Sequence, residues 1–107
     1  MPHKIKITES SENDLVSIFE YVESNDSYGH ADELLGNLEK LILSLDELPS
    51  RGHIVKELSS LNFDNYREVN FKPYRVIYEV TQDTVIVLAV IDGRRDLEEF
   101  LIQRIFQ

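Results

Sequence analysis

The sequence predicts a single α+β domain: an N-terminal strand, an antiparallel helical hairpin, a three-stranded antiparallel meander and a short C-terminal helix. Residues 3–8 alternate polar and apolar with the two-residue period of a half-buried strand. Between about residue 12 and residue 45, apolar residues recur at helical spacings of three and four. From Tyr66 to Ile91, three runs rich in β-branched and aromatic residues are divided by short turns, the signature of a meander. A chain of 107 residues has room for one core, so residues 1–107 form one domain.

Ser11 followed by Asp14 resembles a capping box, and it opens a helix over about 12–24 with Leu15, Ile18, Phe19 and Val22 on its apolar side. Ser24 to Ser27 form a turn of about four residues with capping chemistry. A second amphipathic helix then carries Ala31, Leu34, Leu35, Leu38, Leu41, Ile42 and Leu45, ending before Pro49. So short a link makes the two helices antiparallel. Residues 50–52 are turn material, and Ile54–Leu58 fits neither period well. The meander strands are Tyr66–Phe71, Tyr74–Val80 and Thr84–Ile91, with turns at Lys72-Pro73 and Gln82-Asp83. The third is apolar on both faces, which predicts a central strand between the hairpin and the C-terminal segment. Asp92-Gly93 turns the chain into a final helix bearing Leu97, Phe100, Leu101 and Ile105.

Apolar residues make up 42% of the chain, enough for a core without crosslinks, and the absence of cysteine removes disulfides, thiolate nucleophiles and cysteine metal sites. The start of the chain lacks a long apolar stretch, so the expectation is a cytoplasmic protein with neither a signal peptide nor a membrane span. Net charge is −9, which argues against a broadly basic nucleic-acid binder. The acid is uneven: residues 1–66 hold 13 of the 20 acidic and 5 of the 11 basic side chains, leaving the later segment free to present a local positive patch. His3, His30 and His53 have no metal-ligand spacing and read as surface residues; no metal or cofactor is expected. Glu20, Glu23, Glu33, Glu39, Asp46 and Glu47 read as a solvated helical face. Tyr66, Tyr74 and Tyr78 could stack on bases but fit sheet packing better, with Tyr74, Val76 and Tyr78 facing the core.

Asp14-Leu15 through Tyr21, Ala31 through Leu45, Leu48-Pro49-x-x-Gly52, Glu57-Leu58, Tyr66-Arg67-Glu68, Tyr74 through Val80 and Gly93-Arg94-Arg95-Asp96 together resemble the ParE/RelE toxin superfamily along nearly the whole chain. The resemblance implies the RelE/ParE-like fold and the toxin of a type II toxin–antitoxin (plasmid stabilization) system, silenced by a neighbouring antitoxin and forming a homodimer or a toxin–antitoxin hetero-oligomer. RelE-like members cleave messenger RNA on the ribosome; ParE-like members inhibit DNA gyrase without a hydrolytic centre.

In the nuclease reading the site residues are Arg67, Arg75 and Arg95. Arg75 stands where the resemblance implies a phosphate-binding arginine, and a guanidinium there could hold a phosphate bidentately. Its alternative is a structural pair with Glu68 or Glu79 across the sheet. Arg95 matches a second nuclease arginine and equally the Arg-Asp turn of ParE-like chains, with Asp96 as a structural partner. The nuclease pattern breaks at Val69, where a second basic residue is wanted, and at Phe100 and Leu101, which cannot move protons. The chain therefore leans to the ParE-like branch, with Arg94, Arg95 and Arg104 as residues contacting the gyrase target. The acidity also leaves room for a non-toxic, partner-binding member.

Overall fold

The computed structural model describes residues 2–94 and 96–107. In chain order it contains strand β1 (Lys4–Ile7), helices α1 (Glu9–Asn25) and α2 (Tyr28–Leu43), a 3-10 turn (Ser44–Asp46), strand β2 (His53–Ile54), the one-turn helix α3 (Lys56–Ser59), strands β3 (Tyr66–Phe71), β4 (Tyr74–Thr81) and β5 (Thr84–Asp92), and helix α4 (Glu98–Ile105). Among the described residues the strands form one sheet in the order β1-β5-β4-β3-β2. β1 runs parallel to β5, and the other pairings are antiparallel. This is the α+β arrangement the sequence predicts, extended by a two-residue edge strand.

The first helix starts earlier than its apolar period suggests. Thr8 is its N-cap, with a side-chain oxygen that accepts from the Ser11 N–H at 3.2 Å. The expected Ser11–Asp14 capping box does not form: Ser11 is fully buried and its hydroxyl donates to the Val87 carbonyl at 2.9 Å. Asp26 and Ser27 alone link the helices, where about four residues were expected, because Ser27 already caps α2 by accepting from the His30 N–H. α2 stops at Leu43, and the tighter turn after it points Leu45 into the core at 0% exposure.

Leu15, Leu38, Ile42 and Leu45 from the helical side meet Val69, Val76, Tyr78, Val85, Val87 and Val90 on one face of the sheet. On the opposite face Val55, Leu58, Leu97 and Leu101 cover Tyr66, Ile77, Ala89 and Ile91. β5 is thus buried on both faces, as its composition predicts, but it lies second from the β1 edge and β4 is the central strand. Its side chains also change phase midway. Ile77 pairs with Ala89 while Tyr78 pairs with Val87, so Leu88 is the extra residue of a β-bulge. The bulge turns Val85, Val87 and Val90 toward the hairpin and Ala89 and Ile91 toward α3 and α4. A strict two-residue alternation cannot express that switch.

The segment Ile54–Leu58 becomes the end of β2, the buried Val55 and α3. What holds it is Tyr78, at 0% exposure: its hydroxyl donates to the Pro49 carbonyl at 2.7 Å and accepts from the Gly52 N–H at 3.0 Å. A Cβ on residue 52 would stand 2.5 Å from that hydroxyl and 2.6 Å from the Glu68 carbonyl oxygen, so only glycine fits. Tyr78→Phe keeps the ring but leaves both backbone groups without this partner. It should cost about 1–3 kcal/mol in urea-induced unfolding, and an unchanged midpoint would mean that the loop is held by something else.

Candidate functional site

Strand register decides which chemistry converges. Glu68 on β3 lies opposite Ile77, and Arg75 on β4 lies opposite Asn70, so Glu68 and Arg75 are diagonal neighbours on the face that carries α3. α3 brings Glu57 to the same place. The Arg75 guanidinium donates to both oxygens of Glu57 at 2.7 Å each, while its Nε donates to Glu68 at 3.1 and 3.2 Å and its Nη2 also bonds Glu68. Four of its five N–H groups are directed at carboxylates. Side-chain exposure is 14% for Arg75 and 8% for Glu68, so this pair is largely dry.

The hydrogen bonds that Arg75 donates to Glu57, reinforced by those to Glu68, raise the Arg75 pKa above its ordinary value, and the same contact holds the Glu57 carboxyl below its own. Gly93 completes the seat. A Cβ there would come within 2.5 Å of the Arg75 side chain, and its N–H donates to the Pro73 carbonyl at 2.7 Å. His53 stands beside the cluster with Nε2 3.9 Å from Glu68, and its side chain is 63% exposed. His53, Lys56, Glu57, Glu68 and Arg75 line a cleft of about 620 Å³.

The other arginines go elsewhere. Arg67 lies across the sheet from Tyr78, and its Nη1 donates to the Gly52 carbonyl at 2.7 Å, bracing the loop rather than joining Arg75. Arg94 is exposed and makes a bidentate pair with Asp92, which raises its pKa. Arg104 is 12% exposed at its side chain: it pairs bidentately with Asp14 at 2.8 and 3.0 Å, donates to the Leu88 carbonyl at 3.1 Å and lies over the Phe100 ring. Its guanidinium joins α4 to α1 and β5. Arg95 lies outside the described residues.

The sequence signals Arg75 and Glu68 as a possible cross-strand pair, and the structure adds the second carboxylate. Glu79, the alternative partner, instead accepts from Asn65 at 3.0 Å. Glu57 is missed because it sits in Ile54–Leu58, the stretch whose secondary structure the sequence leaves open, and His53 lies just before it. His53 is at the surface, as the sequence suggests, and what the sequence does not show is that β2 pairs it opposite Glu68. The remaining histidines are apart: His30 is exposed on α2, with its pKa raised by a hydrogen bond to Asp26, and His3 is half-buried at the start of β1.

A carboxylate held below its ordinary value of 4.5 stabilises the fold above that value and loses the contribution as pH falls through the lowered one. The contribution of Glu57 should therefore be constant from neutral pH down to the ordinary carboxylate range and fall below it. Glu57→Gln should show a shallower acid limb in urea titrations run at successive pH values; an identical limb would remove Glu57 from the account.

Residues 5–97 match the sequence profile of the family described as ParE toxin of type II toxin-antitoxin system, parDE. The fold is similar to that of a chain in the chromosomal ParDE toxin–antitoxin system from P. aeruginosa, with a TM-score of 0.71, 13% identity, and coverage of 84% of this chain and 95% of that one. It is also similar to a chain of the toxin–antitoxin complex RelBE2 from Mycobacterium tuberculosis, with a TM-score of 0.64, 17% identity, and coverage of 86% and 92%. No curated protein matches. At such identities the structural likeness speaks for the fold, while the profile spans most of the chain and speaks for descent. The protein belongs to the ParE toxin family of type II toxin–antitoxin systems.

Proposed function

We propose that the protein inhibits DNA gyrase through protein contacts and is neutralised by a cognate antitoxin. The observation that carries this reading is the state of Arg75. A nuclease of the RelE kind needs that guanidinium to meet a phosphate, and here two carboxylates already engage it in a largely dry setting. Displacing them would leave a buried carboxylate unpaired, which is costly. Phe100 and Leu101 on α4 pack rather than move protons. Purified, antitoxin-free protein added to gyrase with relaxed plasmid and ATP should abolish supercoiling and trap cleaved DNA. Undisturbed gyrase from the native host would overturn the reading.

One observation favours a ribosome-dependent endoribonuclease instead. His53 stands beside Glu68 and Arg75, and histidine is the side chain suited to proton transfer near neutral pH. Under that reading the protein cleaves mRNA on ribosomes, and His53→Ala slows cleavage by about 10²–10⁴-fold. Intact mRNA with the unsubstituted protein dismisses it. Arg75→Ala is the poorer test, since it strands Glu68 without its guanidinium partner.

The antitoxin surface is supported by a groove of about 530 Å³ on the outer side of the hairpin. Leu15, Val16, Phe19, Tyr28 and Leu35 form its apolar part, while Glu12, Asp32 and Glu39 line it with carboxylates. Val16 and Tyr28 are 56% and 62% exposed, and Phe19 meets Tyr28 edge-on at 5.6 Å. Such a surface suits an amphipathic segment with basic residues along its flank. Glu12→Lys/Asp32→Lys/Glu39→Lys should weaken binding of the neighbouring antitoxin at least about tenfold by calorimetry, since each lost charge contact at a complementary interface is worth about 1 kcal/mol or more. Unchanged affinity would place the antitoxin elsewhere.

A further inference from the structure

Positive charge on this acidic protein is gathered at one place. Three adjoining clefts share Glu68, and two of them share Arg75, so that they form one trough across the β2–β3 edge and the turn ends of β4 and β5. Among the described residues Arg51, Lys56, Lys72, Arg75 and Arg94 line it, five of the chain's eleven Lys and Arg residues. Against them stand Glu57 and Glu68, both turned onto Arg75 at the floor, and Asp92, which pairs with Arg94, leaving Arg51, Lys56 and Lys72 as the lining cations outside these ion pairs. Arg51, Lys56, Lys72 and Arg94 are exposed. The lining is thus cationic on a chain of net charge −9.

We propose that this trough holds the sugar–phosphate backbone of DNA. The choice of DNA over another polyanion rests on the gyrase reading, because the target then carries a DNA segment for the toxin to touch. The choice of a phosphate backbone over an acidic protein segment follows from the lining itself. A docked peptide takes its affinity from apolar anchors in pockets, and Ile54, 40% exposed, is the one large exposed hydrophobic residue in the trough among the described residues. The remaining exposed side chains are His53, the cations and short polar groups such as Asn70, the usual partners of phosphate oxygens. The lining described is made mainly of charged and short polar side chains suited to phosphate oxygens, so the binding is expected to be independent of sequence. The carboxylate-lined groove of the helical hairpin is formed by other residues, between α1 and α2, so its acidic side chains do not line the trough.

The test is fluorescence anisotropy with a labelled 20-base-pair DNA duplex and the full chain, without gyrase. Binding is expected at 50 mM salt and should weaken about 50-fold by 200 mM, the dependence for roughly three neutralised phosphates. Lys56→Glu/Lys72→Glu should weaken it at least tenfold. Lys4→Glu/Lys6→Glu makes the same change in net charge on the far edge strand and should change it no more than twofold. Absence of binding at low salt, equal losses in the two variants, or tighter binding of a 20-nucleotide RNA or a glutamate-rich peptide would each overturn the proposal. The result is separable from the gyrase assay: inhibited gyrase without DNA binding removes only the trough, and DNA binding without inhibition removes only the gyrase reading.

Discussion

β5 is the strand on which the rest of the molecule is arranged, and the Asp14–Arg104 pair is what makes its position tenable. β1 runs alongside β5 only as far as Ile7 opposite Val87. Beyond that point no strand among the described residues lies on the outer side of the β5 backbone, yet both of its faces are buried. A backbone N–H or C=O left without a partner there would be expensive. The Val90 N–H donates to Asp14 at 3.0 Å and the Leu88 carbonyl accepts from Arg104, while the two side chains bond each other bidentately. One ion pair therefore closes an open sheet edge, absorbs the irregularity of the bulge at Leu88, and fixes α1 and α4 relative to the sheet. A lysine at 104 could not do all three, because only a guanidinium presents donors in a planar fork.

The second ionic centre, around Arg75, follows a different logic. Two carboxylates and one guanidinium carry a net negative charge, and burying such a group is favourable only while the hydrogen bonds are nearly complete. Glu57 and Glu68 supply those bonds from two elements that are otherwise loosely joined, the one-turn helix α3 and strand β3. The cluster thereby ties the β2–α3 segment to the sheet from one side as Tyr78 does from the other. Gly93 belongs to the same construction, since only a residue without a Cβ lets the turn after β5 pass over the arginine stem. A residue type that in a phosphate-handling site would face solvent is here part of the scaffold.

The outcome is a small domain with two chemically opposite surfaces. On the hairpin side, apolar side chains lie exposed among carboxylates. On the opposite side and edge, cations project around a neutralised floor. Charges this far apart on a protein surface are screened from each other at physiological salt, so the two surfaces are electrostatically nearly independent.

The sequence by itself determined the element types and their order, because the periods of Ile5 to Ile7, of Leu34 to Ile42 and of Tyr74 to Val80 are local properties of the chain. It also determined the family resemblance and the two-sided burial of β5. Helix boundaries were less legible: Thr8 rather than Ser11 is the cap, because Ser11 finds a better partner in the Val87 carbonyl across the sheet. What only the tertiary structure decided is who meets whom. Arg104 and Asp14 are 90 residues apart, and Arg75 and Glu57 are 18 apart, in segments with no local pattern to link them. The phase switch at Leu88, the strand that carries His53 to Glu68, and the gathering of five cations into one trough all depend on register and packing. Long-range pairing is set by how faces are buried against one another, and a one-dimensional pattern records which residues are buried but not what lies across from them.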